Sequence, residues 1–410
     1  MRRAILSIIF VLAAAATTAL PAPVAEAAYP ATNGLLAFRG DRANGQGDLF
    51  TLDPASRQEV ALTNTADMQE MDPAWSPEGT RIAFTRRPKL QARPDLLVMN
   101  ANGRGRVRLT ATPVAERHPA WSPDGTTLVY AARTSARGPT RLFRIRADGR
   151  GRVRLTFESS GSYDDDPAWS PDGSRIAFST NRDGGFPELY LMDPDGSHPL
   201  RLTSNHLLDA DPSWSPDGTR LAFVRCSEDG TSEIYLMNAD GTGQIDLTNT
   251  PDLQESDPAW SPDGAAIAYA AVPVGGGEPQ IHIMNADGSG QAALTSAPGG
   301  AFSPSWQPRP ECTITGTAGP DRLRGTDGTD VICAGRGDDI VRARGGFDLV
   351  YGGPGDDTLY GQDGEDLLYG GGGNDIIKAG PSFDGLDGAG GTDVCLPGAG
   401  GGYRLRCEGT

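Results

Sequence analysis

The sequence predicts an all-β chain built from two repeat arrays, a six-bladed β-propeller followed by a stacked array of much shorter period. Three observations carry this expectation. The six tryptophans of the chain, Trp75, Trp121, Trp169, Trp214, Trp260 and Trp306, stand 46, 48, 45, 46 and 46 residues apart. From Gly316 to Leu396, nine nine-residue units follow one another without insertion, each with aspartate sixth and an apolar residue eighth. An Ala-Phe-type strand, Leu35-Leu36-Ala37-Phe38, precedes the first tryptophan strand, whereas the strand at Trp306 has no such partner after it, so the two ends of the first array can complete one blade.

The chain begins as a secretory signal peptide would. Arg2 and Arg3 lead an apolar run from Ala4 to Leu20, then prolines and the small-residue sequence Ala25-Glu26-Ala27, so residues 1–28 read as a signal peptide cleaved after Ala27 or Ala28. The run is shorter than the ~20 residues that cross a bilayer. No cysteine follows it and no second long apolar segment exists. The mature protein is therefore expected to be extracellular or at the cell surface, with no membrane span after cleavage.

Residues 29–308 form the longer repeat. The phrase Asp-Pro-Ala-Trp-Ser-Pro-Glu-Gly at Asp72–Gly79 returns, with variation, at His118–Gly125, Asp166–Gly173, Asp211–Gly218 and Asp257–Gly264, and in degraded form at Ser303–Pro308. In each unit a tryptophan strand enters a Ser-Pro-Asp-Gly turn with proline second, and an alternating strand such as Arg81-Ile82-Ala83-Phe84 follows. A third strand (Leu189-Tyr190-Leu191-Met192), an Asp-Gly turn and a short strand ending in Leu202-Thr203 complete the unit. Four strands in about 46 residues is the length of a propeller blade. The array resembles the TolB-like, WD40-like (PD40) propeller repeat of bacteria, which carries the same Pro-x-Trp-Ser-Pro-Asp-Gly phrase. The resemblance implies a module that binds a protein partner. One large aromatic per blade at a fixed position is read as packing between blades. The arginine of Arg-Leu-Thr (Arg108, Arg154, Arg201) is read as a solvated edge.

Counting the Ala-Phe-type strands gives six blades, and closing them into a ring removes an open sheet edge. Acids precede each tryptophan strand in equivalent pairs: Glu70 and Asp72, Glu116 and His118, Asp164 and Asp166, Asp209 and Asp211, Glu255 and Asp257, with Ala301 and Ser303 in the last copy. These ten residues are the candidate partner-binding set, because five blades aiming carboxylates at one mouth of the channel would hold a cation or a basic peptide segment. The Asp72-type residue could equally cap a turn. The Glu70-type position is expected to be functional, since nothing in the fold calls for an acid there. His118 among carboxylates also admits a calcium-dependent propeller hydrolase as an alternative. The sequence has neither G-x-S-x-G nor H-E-x-x-H, and the expectation is that the protein is not an enzyme.

Residues 309–315 read as a short proline-rich linker from which the second module should project semi-rigidly. In that module, residues 316–396, the best units are GGPGDDTLY (Gly352 to Tyr360) and GGGGNDIIK (Gly370 to Lys378). They resemble the RTX, or haemolysin-type, calcium-binding repeat. The resemblance implies that six residues of each unit turn and three form a strand, that two units make one coil of a parallel β-roll, and that Ca²⁺ sits between turns. Glycine permits the turn and aspartate supplies hard oxygens of the kind Ca²⁺ takes six to eight of. The candidate ligands are Asp330, Asp339, Asp348, Asp357, Asp366 and Asp375, with full sites doubtful at Asp321, Asp384 and Asp393, where the units are atypical. The fold class expected is thus all-β, a six-bladed β-propeller plus a C-terminal parallel β-roll, with residues 397–410 as a C-terminal cap.

Export makes the cysteines interpretable. Cys312 and Cys333 flank the start of the array and Cys395 and Cys407 its end, so two short-range disulfides would staple the roll, though four cysteines allow three connectivities. Cys226 is left over as an inert thiol. The formal net charge is −17, of which the roll contributes −9 from fourteen Asp and one Glu against five Arg and one Lys. Such a surface repels phosphate backbones, which excludes nucleic acid as a partner. The expected function is a secreted calcium-binding protein whose propeller binds a protein or other ligand at the channel mouth and whose roll folds on Ca²⁺. A structural component of the cell surface or matrix is the further alternative.

Overall fold

The computed structural model describes residues 33–41, 47–89, 93–157, 162–228, 230–308, 312–382 and 384–407. The expected signal segment at residues 1–28 and the link residues 309–311 lie outside them. The described residues form six four-stranded antiparallel sheets and two parallel sheets. The all-β class, the six blades and the parallel roll are as the sequence predicts. No helix among the described residues is long and apolar enough to cross a membrane.

Blade 1 comprises Leu36–Asp41, Gly47–Asp53, Gln58–Ala61 and, from the far end of the array, Ala301–Trp306 as its innermost strand. Leu36 faces Trp306 and Gly40 faces Ala301 across this seam. The inner strands of blades 2 to 6 are Met68–Trp75, Glu116–Trp121, Asp164–Trp169, Leu208–Trp214 and Leu253–Trp260. Gln307, just past the last strand, locks the closure. Its carbonyl accepts from Gly34 and its Oε1 from the Leu35 N–H at 3.0 Å, while its Nε2 donates to the Gly79 carbonyl of blade 2 at 2.8 Å. The degraded sixth copy of the phrase therefore has a reason: where the other copies have Trp-Ser, a longer amide reaches across the seam.

The repeated phrases are structural. The indoles of Trp121, Trp214 and Trp306 each donate to an alanine carbonyl of the preceding blade, at 3.1 to 3.2 Å. The threonine ending each Leu-Thr pair (Thr63, Thr110, Thr156, Thr203, Thr248, Thr295) accepts from a backbone N–H fourteen residues earlier, once per blade. The arginines of Arg-Leu-Thr are not merely solvated. Arg108, Arg154 and Arg201 bond the carbonyl of that same threonine at 2.6 to 2.7 Å, which brackets the outermost strand.

In the roll, odd and even units fall on opposite sheets, each strand pairing in parallel with the one 18 residues on: Leu349 with Leu367, Ile340 with Thr358. The eighth-position residues meet in one core of Ile332, Val341, Val350, Leu359, Leu368, Ile377, Leu386 and Cys395. At Gly355, Gly364 and Gly373 the coils leave no room for a side chain. A Cβ on Gly373, whose φ is +132°, would lie 2.1 Å from the Gly355 carbonyl oxygen of the coil before. Cys312 pairs with Cys333 and Cys395 with Cys407, the local connectivity at each end of the roll.

The roll does not project. Val331, Cys333, Leu349 and Leu367 belong to one buried apolar cluster with Ala37, Leu49, Leu62, Trp75 and Ala101 of the propeller, and Tyr351 and Tyr369 pack against it. Arg406 reaches Asp53 of blade 1 at 3.3 Å, and Asn102 of blade 2 reaches Glu365 at 3.4 Å. The reason is written in alternate units. Positions seven and nine of units 2, 4 and 6 are apolar or aromatic, and they point away from the roll core onto the propeller. The same positions on the opposite sheet are Arg322, Arg324, Ile340, Arg342, Thr358, Tyr360, Ile376, Lys378, Val394 and Leu396, four of them charged. Buried apolar side chains contribute about 1.5–3 kcal/mol each, which outweighs any stiffness in the link.

Candidate metal centre and channel site

The nine phased aspartates form two ladders along the roll. The N–H of each aspartate donates to Oδ1 of the aspartate one coil on: Asp339 to Asp357, Asp348 to Asp366, Asp357 to Asp375, at 2.8 to 3.1 Å. What differs between units is the second oxygen. Oδ2 of Asp321 and Asp330 is taken by the N–H and hydroxyl of Thr317 and Thr326, and Oδ2 of Asp384 by the Gly380 N–H. Asp339, Asp348, Asp357, Asp366 and Asp375 are 0–1 % exposed, and their Oδ2 atoms are buried with no hydrogen-bonding partner. A buried, unpaired carboxylate oxygen is costly.

Their acidities record this. Burial pushes Asp348 and Asp375 up to about 7 and Asp357 and Asp366 up to about 8, with neighbouring aspartates of the ladder adding to the shift. Asp339 is raised by burial as well. Five rigid, unpaired carboxylates beside turn carbonyls are a hard-oxygen donor set that fits Ca²⁺. Asp330 differs from these five, because the Thr326 of its Gly-Thr start already donates to its Oδ2. Threonine at the second position, found in the first two units and in no other, was the readable signal.

In the propeller, the Pro-preceding residue of every inner strand is a bulge. Asp72, His118, Asp166, Asp211, Asp257 and Ser303 all have positive φ, between 48° and 52°, and the pairing with the neighbouring strand shifts register there. Six left-handed non-glycine residues at equivalent places, each at a cost of about 1–3 kcal/mol, turn six side chains to the axis. Together with their prolines they line a cavity of about 150 Å³ in the central channel.

The ring is internally bonded. Thr85 donates to Asp72 Oδ2 at 2.9 Å, Ser179 to Asp166 Oδ2 at 2.7 Å, and Ser303 to Asp257 Oδ2 at 3.3 Å. His118 Nδ1 lies 2.7 Å from Asp166 and 3.0 Å from Asp165. Burial works against the imidazolium, but Asp166, Asp165 and Asp72 overcome it and hold His118 protonated well above its ordinary range. Burial raises Asp211 strongly, with Asp166 and Asp257 adding to it, and raises Asp257 in the same direction.

The other half of the expected set lies elsewhere. Glu70, Glu116, Asp164, Asp209 and Glu255 are 0–1 % exposed inside the blades. Thr65 donates to Glu70 at 2.8 Å and Thr112 to Glu116 at 2.9 Å, while Thr250 bonds Glu255. Arg182 bonds Asp164 at 3.1 Å, and Arg225 and Asn205 hold Asp209 at 2.7 to 2.8 Å. The expectation that nothing in the fold requires these acids is therefore corrected: Glu70, Glu116, Asp209 and Glu255 tie the entry of their inner strands to the loop before it, and Asp164 is held by Arg182 beyond the next strand. The bulge rotates the chain between the first acid and the second, so two residues that simple strand alternation would place on one face diverge. Cys226 is a half-buried free thiol whose acidity burial weakens further, with Asp211 and Asp209 nearby.

Residues 160–225 and 212–318 match the TolB β-propeller domain model, and residues 313–341, 342–377 and 369–403 match the RTX calcium-binding nonapeptide repeat. Among solved structures, TolB from Acinetobacter baumannii is 26% identical over 67% of each chain, with a TM-score of 0.57. A TolB-like protein from Agrobacterium tumefaciens is 18% identical over 64% of this chain and 88% of its own, with a TM-score of 0.51. A chain of a nidogen/laminin complex is 14% identical over 67% of this chain and 99% of its own, with a TM-score of 0.54. The last two show the fold alone. No curated protein sequence matches the chain. The protein thus joins a TolB-type propeller to RTX repeats, which bind Ca²⁺.

Proposed function

We propose that this calcium-binding propeller protein is secreted and works without catalysis, holding a basic segment of a protein partner in the channel of the propeller. The observation that carries the reading is the set of six bulges that direct Asp72, His118, Asp166, Asp211, Asp257 and Ser303 to one axis. A cavity of about 150 Å³ suits one long cationic side chain or a hydrated cation; pockets for drug-sized ligands run to roughly 300–1,000 Å³. Asp211 and Asp257, held toward their neutral forms by burial and by neighbouring acids of the ring, gain a counter-charge when a cation enters. His118 supports the non-catalytic part, because a histidine pinned as a cation between Asp165 and Asp166 is not available as a general base. The disulfides at Cys312–Cys333 and Cys395–Cys407 support export.

The test is binding of fluorescein-labelled lysine- and arginine-containing peptides, read by polarisation at low salt. The wild type is expected to bind at least about 10-fold more tightly than D211N/D257N, a loss of ~1.4 kcal/mol. E70Q serves as the control that leaves the channel untouched. Equal binding by wild type and D211N/D257N would remove the channel from the account.

A further inference from the structure

A propeller ring is weakest where its two chain ends meet, and here the roll sits on that seam. We propose that the roll is a calcium-set clasp on the closure of the propeller, a proposal that rests on the reading of the roll as ordered by Ca²⁺. Blade 1 is the blade whose inner strand, Ala301–Trp306, comes from the other end of the array. Unpairing it would leave two open edges. The face of blade 1 that meets the roll is built from Leu35, Thr51, Asp53, Gln58 and Val60, opposite Tyr369, Gly385, Asp387 and Arg406, with a cavity of only about 20 Å³ between them. Arg406 binds Asp387 within the roll and Asp53 on the blade. Asn102 extends the contact to blade 2.

The docking residues and the calcium donors are neighbours in the chain. Leu349 follows Asp348 and Leu367 follows Asp366, and both aspartates carry an unpaired buried Oδ2. Whatever orders those carboxylates also sets the strand that presents the leucines to the propeller. Conversely, Gln307 directly follows the strand that closes the ring, and Cys312, five residues further along the sequence, packs against the apolar cluster shared by propeller and roll. With the roll docked, Ala301–Trp306 is fastened at the seam by Gln307 and held again where Cys312 packs against the cluster that contains Ala37 and Leu49 of blade 1. A roll opened by charge repulsion releases the second hold and exposes Leu349, Leu367, Tyr351 and Tyr369.

All six tryptophans lie in the propeller, so the thermal midpoint of tryptophan fluorescence reports on that module, with Trp75 also sensing the docked roll, while far-UV circular dichroism reports on both. In thermal unfolding of the full chain, the tryptophan midpoint is expected to fall by roughly 5 °C or more when excess Ca²⁺ is replaced by excess chelator. In L367D, Ca²⁺ should still increase the β-signal, but the tryptophan midpoint should stay at its chelator value under both conditions. R406A, which leaves the repeats intact, should lose part of the shift and decides the matter if L367D does not order its roll. A wild-type midpoint indifferent to Ca²⁺ alongside a calcium-dependent β-signal overturns the clasp and spares the folding of the roll by Ca²⁺. A full shift retained in both L367D and R406A also overturns it. No change in β-signal with Ca²⁺ overturns the clasp together with the reading beneath it.

Discussion

Propeller and roll both bury carboxylates, and they differ in what meets the second oxygen. Asp209 in blade 5 gives its two oxygens to Arg225 and Asn205, and Glu70 in blade 2 takes the Thr65 hydroxyl. Asp366 in the roll accepts from Asp348 on Oδ1 and from nothing on Oδ2. For Asp209 and Glu70 the arrangement is complete as the chain folds; Asp164 of blade 4 leaves Oδ2 without a hydrogen bond but has the Arg141 guanidinium 3.7 Å away. In the roll the second oxygen is left to a cation from outside. On the reading proposed above, one chain carries a module whose stability is internal and a module whose stability is set by Ca²⁺, and packs the second against the seam of the first.

The strongest way to break this comparison is to remove the cation. In chelator, the roll is expected to lose its β-structure while blades 3 to 5 keep theirs, a change visible by circular dichroism as a loss confined to about the share of strand the roll contributes. Asp357→Ala with Asp375→Ala should do the same at calcium concentrations that saturate the wild type. A substitution of one kind in both modules comes next. Gly373→Ala forces a Cβ to 2.1 Å from a carbonyl oxygen at a φ of +132°, and should cost the roll about 3 kcal/mol by calcium-dependent unfolding. Gly184→Ala, with φ at +82° and open space around it, should cost the propeller only ~1–2 kcal/mol.

The effect of pH sharpens the comparison further. The folded carboxyls of Asp348, Asp357, Asp366 and Asp375 keep their protons up to about 7 to 8, while unfolded aspartates lose theirs near 4. Protonation therefore favours the calcium-free roll: the contribution is full below the unfolded value and is lost as pH rises through about 7 to 8. In chelator, β-structure should return on acidification from pH 8 toward 5. Protons and Ca²⁺ compete for the same oxygens, so calcium affinity should fall over the same interval. The smallest expected effect is in the propeller. Glu255 is raised to about 8 by burial and by Glu233, and Glu255→Gln should change stability by less than about 1 kcal/mol at pH 7. Asp366→Asn, the same exchange in the roll, should abolish calcium-induced ordering.

Periodic features were legible in the sequence because each repeat poses the same packing problem. The Trp75-type residues, the Leu-Thr pairs and the eighth-position residues of the roll all take the same place in every copy. The directions of Glu70 and Asp72 were not legible, because a left-handed bulge between them breaks the alternation that assigns faces. Nor was the docking of the roll read, although its signal was present. Units 2, 4 and 6 end in Val-Ile-Cys, Leu-Val-Tyr and Leu-Leu-Tyr, and three of the five odd units end in Arg or Lys. A period of eighteen residues was hidden under one of nine. Asp330 differs from the five aspartates with an open Oδ2 for a local reason, since Thr326 donates to it within its own turn.

The central claim is that the roll is completed by Ca²⁺ and the propeller by its own side chains. Region-resolved hydrogen exchange of the full chain, measured in excess Ca²⁺ and again in excess chelator, tests it most directly. The account predicts that amides of residues 316–396 lose protection on chelation, that blade 1 loses part of its protection, and that blades 3 to 5 keep theirs. Equal protection of the roll under both conditions would contradict it.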